Sequence, residues 1–362
     1  MKTAGFEIKE NYPLRPLTTF DAGGKARYYA AVSSEEDIVN ALDFAKNRDI
    51  PVFVLGGGSN LLVSDQGFPG LVIHNVMKGF ESNQDGGHMV VSVSGGESWQ
   101  DLVDRCTAAG WQGFECMAGI PGTVGAAPVQ NIGAYGQEVS ETVTGVGTVD
   151  IETGEVVIFG NEECGFGYRK SIFNTSEAGR YIVTGVDFRL TVNGSPRVRY
   201  RELADRIGTD KDLTLSKVRD TVLNIRGEKG LLTGNGRESF RSAGSFFRNP
   251  IVTKEEFGRM EERVTAAGGC REWVWPFEHG KIKISAACLI QCAGFIRGYR
   301  RGNVGISPKH TLIIINYGGA GADEIAAFAA DVQKKVIDEF GVVMMPEVKF
   351  IGFQDNVLRT SL

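Results

Sequence analysis

Val52-Phe53-Val54-Leu55-Gly56-Gly57-Gly58-Ser59-Asn60-Leu61-Leu62-Val63 reads as a short strand that runs straight into three glycines and then extends again. Residues without a Cβ let neighbouring backbone N–H groups converge on one point, a nest suited to phosphate or pyrophosphate. This is not the dinucleotide fingerprint of a doubly wound sheet. Leu61 stands where that pattern needs another glycine, and Leu61-Leu62-Val63 looks extended where it needs a helix. No GxxxxGK[ST] occurs either. Taken alone, the loop also reads as a tight structural turn.

Working outward, Ser33-x-x-Glu36 has capping-box spacing, and Ile38, Ala41, Leu42 and Ala45 recur at helical intervals before the strand. Downstream, Met89 to Ser94 alternates like a strand, and Ser98 caps a short helix through Leu102, Val103 and Cys106. The first 225 or so residues thus mix α and β. A helix from Ser216 carries Val218, Val222 and Ile225, then runs into the polar, glycine-rich stretch from Arg226 to Ser239, a candidate boundary. Beyond it, Thr253-x-x-Glu256 opens a helix with Phe257, Met260 and Val264. Ser285 to Cys292 forms another, stopped by Gly294, and Asp323 to Phe340 a third, stopped by Gly341. A strand is expected from Thr311 to Asn316.

The chain has 362 residues, enough for two or three domains at about 150 residues each. With 42% hydrophobic and 23% charged residues it is not a disordered chain, and a net charge of −5 is no footprint for a nucleic-acid backbone. No signal-peptide core and no bilayer-length apolar run occurs, so a cytoplasmic protein without membrane or nucleic-acid partners is expected. The six cysteines show no CxxC pair and read as reduced thiols, with Cys288 and Cys292 packing as small apolar groups. His74, His88, His279 and His310 lack metal-ligand spacing, and no metal is implied.

A second glycine-rich stretch runs from Met117 to Gly136 and includes Gly119-Ile120-Pro121-Gly122 and Gly125-Ala126. Its small residues admit a flat ligand, while Gln130, Asn131 and Tyr135 add directional polar groups. Tight packing between layers is the other reading. Two such loops in one chain favour a large, flat, phosphate-bearing cofactor. Tyr168-Arg169 sets a guanidinium beside a phenol, either a carboxylate clamp or a solvated loop. Ser245, in Ala243-Gly244-Ser245-Phe246-Phe247, reads as a turn or cap residue unless other groups recruit it. Glu347, in Pro346-Glu347-Val348, follows an apolar run and is either partly buried or a surface strand end.

These clusters, with Thr18-Thr19-Phe20 and in this order along nearly the whole chain, resemble the UDP-N-acetylenolpyruvoylglucosamine reductase family of flavoproteins. The resemblance implies an α+β protein with two FAD-binding domains of the vanillyl-alcohol-oxidase type and a third α+β substrate-binding domain. It places residues 1–78 in the first, 79–225 joined by 342–362 in the second, and 226–341 in the third. It implies NADPH-dependent, FAD-mediated reduction of UDP-N-acetylglucosamine enolpyruvate to UDP-N-acetylmuramate, a cell-wall precursor. The sugar nucleotide is then the partner molecule.

By the same resemblance, Ser245 supplies a proton, while Arg169 and Glu347 sit at the substrate carboxylate, Glu347 donating only in its protonated form. Gly56, Gly57, Gly58, Ser59, Asn60, Leu61, Gly119, Ile120, Pro121, Gly122, Gly125, Ala126 and Asn131 fall at cofactor contacts. Tyr135, Tyr168, Lys229, Asn249 and Lys283 fall at substrate contacts, as do His310 and Tyr200, the latter matching members with an extra substrate-covering loop. Gly230 to Arg241 departs from the shorter members, and no contact is transferred onto it. Another FAD oxidoreductase on this scaffold, or a non-catalytic sugar-nucleotide-binding protein, are the competing functions.

Overall fold

The computed structural model describes residues 2–3, 6–209, 212–232, 240–270, 273–353 and 357–358. It resolves into two compact units. One comprises residues 1–12, 26–57 and 69–227, the other residues 13–25, 58–68 and 228–362. The division at residues 78, 225 and 341 is a different, three-part partition and stays a proposal.

In the first unit, α1 (Glu35–Lys46) begins one residue later than its sequence signal suggests. Ser34, not Ser33, accepts the Asp37 N–H at 3.0 Å, and the Asp37 carboxylate in turn takes both the backbone N–H and the hydroxyl of Ser33. Ser98 caps α2 (Trp99–Ala108) as expected, accepting from Asp101 N. The antiparallel sheet behind α2 runs in the order Val156–Gly160, Val143–Asp150, Tyr181–Val192, His88–Ser94, Phe80–Asp85. Its register pairs Val91 with Phe188 and Val93 with Val186, so the alternation legible in Met89 to Ser94 faces one core. Trp99 is 1% exposed there, edge-on to Phe114 and Phe188, with its indole N–H donated to Met117 O at 3.1 Å. The unit also contains α3 (Arg201–Ile207) and α4 (Leu215–Glu228), whose Val218, Val222 and Ile225 are buried in that core.

Asp150 closes the hairpin between the first two of these strands. Burial pushes its carboxyl up, but bonds from Glu152 N at 2.8 Å, Thr153 N at 3.3 Å and Arg180 Nε at 3.0 Å outweigh this and hold it below the ordinary range. Its contribution to stability is therefore present above the unfolded carboxylate range and lost as pH falls through the lower folded value. Asp150→Ala is expected to lower unfolding free energy by about 2 kcal/mol in urea titrations. Asp150→Asn keeps the turn acceptor, loses only the pairing with a half-exposed arginine, and should cost below about 1 kcal/mol.

In the second unit, the capping box of Thr253 and Glu256 opens α5 (Lys254–Ala266), and Ser285 caps α6 (Ala286–Cys292) through Cys288 N. The long helix α7 (Ala322–Phe340) begins a residue before its signal and ends at Gly341, which is left-handed with φ 69°. Two small sheets accompany them, Ile251–Val252 with Ile282–Ile284 and Val274–Pro276, and Arg300–Arg301 with Val304–Ile306 and Ile314–Asn316. The expected strand from Thr311 is shortened to its last three residues. Thr311 turns its hydroxyl to Ala287 O, and the Ile313 N–H is taken by His310 O, which leaves a turn in place of the ladder. A parallel pair, Leu61–Val63 with Lys349–Ile351, brings the C-terminal stretch beside the segment that follows the first glycine loop.

The expectation of six reduced cysteines is corrected at one place. Cys270 and Cys288 form a disulfide, whereas Cys106, Cys116 and Cys164 are buried free thiols and Cys292 a half-buried one. The spacing of Cys270 and Cys288 carries no motif, so only the fold that folds the hairpin back onto α6 could bring them together.

Candidate functional site

In the first unit the two glycine stretches lie against each other. A Cβ on Gly56 would stand 2.8 Å from Thr123 Oγ1, and one on Gly57 would stand 2.8 Å from Gly122 Cα. On Gly125 it would stand 3.0 Å from Gly95 Cα and O. Gly119 and Gly122 have φ of 75° and 128°, conformations that a side chain disfavours. Backbone bonds fix the second loop in place: Val124 N to Glu97 O, Gly125 N to Gly95 O, and Gly119 N to the Gln100 side chain. Gly119, Ile120, Pro121 and Gly122 remain half-buried, and Ala126 is exposed. The result is two stretches of bare backbone in close contact, which side chains at Gly56, Gly57 or Gly125 would force apart, while exposed Gly57 and half-buried Gly119 to Gly122 leave backbone open to a large flat cofactor carrying phosphates.

The same stretch continues into a polar cluster. Asn131, Tyr135 and Arg169 all adopt positive φ, at 44°, 49° and 53°, a region that Asn enters readily and Tyr and Arg at some cost. Asn131 is buried, and its side chain is engaged within the fold. Its amide donates to Glu138 Oε2 and Gly167 O, and its oxygen accepts from Ser140 N. It thereby ties the loop bearing Tyr168 and Arg169 to the second glycine stretch. The Arg169 guanidinium donates to Gly133 O at 2.7 Å and Asn131 O at 3.4 Å and lies 5.5 Å from the Tyr168 ring centroid. Tyr200, the residue before α3, meets Tyr135 edge-to-face at 5.5 Å. Burial pushes the Tyr135 phenol up to about 12, so it acts as a neutral hydrogen-bonding group near neutral pH.

Arg226, at the end of α4, was not singled out from the sequence. Its Nε is enclosed without a hydrogen-bond partner among the described residues, and burial, opposed by the Tyr135 phenol and aided by repulsion from Arg169, pulls its pKa down. Its place directly after Ile225 of the buried stripe gave no signal, because adjacent helix positions do not share a face; the spacing that does is four residues from Val222.

The second unit collects the other residues. Glu347 N donates to Phe246 O at 2.8 Å, and Phe247 bridges Pro346, so the Ser245 and Glu347 segments adjoin although far apart in the chain. Asn60 donates to Glu347 O at 3.0 Å and accepts from Lys349 N, placing the end of the first glycine loop at the same point. Gly58, with φ 61°, lies so close to Leu17 that a Cβ would sit on its carbonyl oxygen, and Gly58 O accepts from Thr19 N. Ser59, Asn60, Leu61 and Glu347 are half-buried.

Ser245 is half-buried too, and its hydroxyl makes no hydrogen bond among the described residues. Asn249 Oδ1 accepts from Ala286 N at 3.0 Å and so steadies the start of α6. Lys283 stands on the hairpin strand Ile282–Ile284, 5.3 Å from the Phe277 ring centroid. His310 Nδ1 accepts from Leu312 N at 3.1 Å, a structural use of that ring nitrogen. Lys229 is half-buried just after α4. The structure thus groups Tyr135, Tyr168, Arg169 and Tyr200 in one unit, and Ser245, Glu347, Asn60, Asn249, Lys283 and His310 in the other. The stretch from Gly230 to Arg241 falls partly outside the described residues, at 233–239.

Both glycine stretches fall within a segment matched by a known family model. An FAD-binding domain model matches residues 26–160, and a model of the UDP-N-acetylenolpyruvoylglucosamine reductase C-terminal domain matches residues 236–351. The chain is 41% identical over 346 residues to UDP-N-acetylenolpyruvoylglucosamine reductase from Streptomyces coelicolor, covering 94% of this chain and 89% of that one. It is 40% identical over 348 residues to the enzyme of that name from Thermobifida fusca, covering 94% and 97%. The crystal structure of UDP-N-acetylenolpyruvylglucosamine reductase from Thermus caldophilus is similar over 96% of this chain and 98% of that chain, with a TM-score of 0.62 and 26% identity. The expected α+β class, with an FAD-binding part and a distinct C-terminal domain, is the observed one. Among the described residues no helix is long and apolar enough to cross a membrane.

Proposed function

We propose, from the premise that this chain belongs to the UDP-N-acetylenolpyruvoylglucosamine reductase family of FAD-dependent oxidoreductases, that it reduces UDP-N-acetylglucosamine enolpyruvate to UDP-N-acetylmuramate with NADPH. The observation that carries the reading is the meeting of Asn60, Glu347 and the Ser245 segment through main-chain contacts within one unit, the positions to which the reading gives cofactor, carboxylate and proton-donor roles.

Bound FAD would supply the hydride chemistry, linking NADPH oxidation to reduction of the substrate's vinyl carbon. The glycine cradle of Gly56, Gly57, Gly119, Gly122 and Gly125, continued through Ile120, Pro121 and Ala126, and the stretch Gly58-Ser59-Asn60-Leu61 would hold it. Arg169, kept in a fixed pose by two carbonyl oxygens, binds the enolpyruvyl carboxylate and stabilises the charge that develops there as the double bond is reduced. Glu347 supports the same carboxylate. Ser245 then passes a proton, replenished from water, to the carbon next to the carboxylate, which completes addition across the double bond. Tyr168, Tyr135 and Tyr200 line the sugar-nucleotide side in the first unit, and Asn249, His310, Lys229 and Lys283 contribute polar contacts in the second, the two lysines pairing with diphosphate.

The test is an anaerobic visible spectrum of the purified protein, followed through one addition of NADPH and then one of the enolpyruvyl sugar nucleotide. Bleaching by the first and return of colour with the second is the expected result. A flavin that bleaches and stays reduced overturns the substrate, and a protein with no flavin to bleach, even after adding FAD, overturns the enzymatic reading.

A further inference from the structure

The disulfide of the second unit has a third sulfur beside it. After α5, Gly268 and Gly269, with φ of 99° and 49°, turn the chain back so that Cys270 faces α6. There Cys270 is bonded to Cys288, with Cα atoms 5.9 Å apart. Cys292, one turn further along the same helix face, places its Sγ 3.9 Å from the Cys288 Sγ. All three sulfur atoms lie within 4.8 Å of one another. Cys288 is buried, whereas Cys270 and Cys292 are half-buried and within reach of a small reagent.

We infer that Cys270, Cys288 and Cys292 form a thiol–disulfide exchange site in which Cys288 alternates between two partners. The Cys292 thiolate attacks the Cys288 sulfur, the Cys288–Cys292 bond forms, the Cys270–Cys288 bond breaks, and Cys270 leaves as a thiolate that takes up the proton Cys292 released. No net oxidation occurs in this step. Positions four apart on a helix hold their Cβ atoms about 5–6 Å apart, more than the roughly 3.5–4.5 Å a disulfide spans, so the second bond requires the last turn of α6, which ends at Cys292, to open. A small dithiol is the external substrate class. It converts either isomer to three thiols, giving up two electrons and two protons and becoming a disulfide itself, and the reverse reaction re-forms the bond.

The two isomers differ in what they tie together. Cys270–Cys288 closes a covalent loop over the hairpin of Val274–Pro276 and Ile282–Ile284, which carries Lys283, and joins its start to α6. Cys288–Cys292 links α6 only to itself and leaves that hairpin held by packing and by bonds such as Ser285 N to Trp273 O.

The test is peptide mapping of the full-length holoprotein after equilibration in buffers of defined dithiothreitol redox ratio, acid quenching and alkylation. Both disulfides are expected in the wild type, the second at roughly a tenth or more of the total, at a ratio that stays constant as the buffer becomes more oxidising. Cys292→Ser should show only Cys270–Cys288, and Cys270→Ser only Cys288–Cys292. The inference falls if the wild type yields Cys270–Cys288 alone at every ratio. It also falls if Cys270→Ser leaves Cys288 and Cys292 as free thiols, or if zinc co-purifies with the three thiols and shields them from alkylation. Because the wild-type map is decisive by itself, a variant that fails to fold does not blunt the test.

Discussion

Ser245→Ala is expected to bleach normally with NADPH and then to regain its colour with the enolpyruvyl sugar nucleotide about 10²- to 10⁴-fold more slowly, the range over which a positioned proton donor acts. The size of the effect follows from where the proton is needed. Reduction of the vinyl carbon leaves negative charge delocalised onto the carboxylate, and the neighbouring carbon then has to be protonated at a defined face. Arg169 and Glu347 can stabilise that charge but cannot complete the bond. The serine backbone does not depend on its hydroxyl, because Ser245 bridges Ile313, Phe246 N donates to Leu312 O, and Phe246 and Phe247 are 0% and 1% exposed. With no side-chain hydrogen bond to lose among the described residues, the substitution should move the thermal midpoint by no more than about 1–2 °C, within the usual range for a substitution that removes no buried contact. Stopped-flow absorbance of the two half-reactions separates the outcomes. Equal slowing of both would point to a disturbed flavin site, and unchanged reoxidation would remove Ser245 from the chemistry.

What the sequence made legible was what is decided locally. The caps at Ser98, Thr253 and Ser285 and the left-handed stop at Gly341 stand where their residue types imply, because each is settled within one helical turn. The glycine loops were legible for a related reason, since consecutive residues without Cβ advertise a backbone that something must approach. Local signals failed where two similar options sat side by side. Ser33 and Ser34 both can cap α1, and the choice rests on the Asp37 carboxylate reaching back to Ser33.

The remainder is long-range and left no periodic trace. Asn60 meets Glu347 across 287 positions, Gly57 approaches Gly122, and Cys270 finds Cys288 only through the hairpin between them. Likeness to a family did not supply those contacts either, because it places residues by motif and not by contact. It named Asn131 among cofactor contacts, but did not show that its side chain bonds Glu138, Gly167 and Ser140. The same likeness passed over Arg226, whose enclosed Nε marks it by burial alone.

The close approach of the two glycine loops yields the second large effect. Gly57→Ala is expected to purify nearly colourless and to bind added FAD roughly 10- to 100-fold more weakly. A Cβ at Gly57 would stand 2.8 Å from Gly122 Cα and 3.2 Å from Gly122 C, and these are backbone atoms held by the Trp99 N to Gly122 O and Val124 N to Glu97 O bonds. They cannot rotate aside, so the two loops must part or the cradle must reshape, at about 1–3 kcal/mol for such overpacking. If that cost falls on the cofactor-binding arrangement, it converts to the stated loss at about 1.4 kcal/mol per tenfold.

Gly56→Ala makes the internal comparison. Its Cβ would meet the Thr123 Oγ1 at the same 2.8 Å, but a hydroxyl can turn to another rotamer, so a loss below about tenfold is expected. Gly258→Ala, in the interior of α5 with nothing within 4 Å, controls for the substitution itself and should stabilise by about 0.5–1 kcal/mol with full flavin content. The ratio of flavin to protein absorbance and an FAD titration followed by fluorescence read all three. A Gly57→Ala protein that holds FAD as tightly as the Gly258→Ala protein would show that the bare backbone at this contact serves packing of the loops alone, and the cofactor cradle would then have to be sought among the remaining glycines of the second stretch.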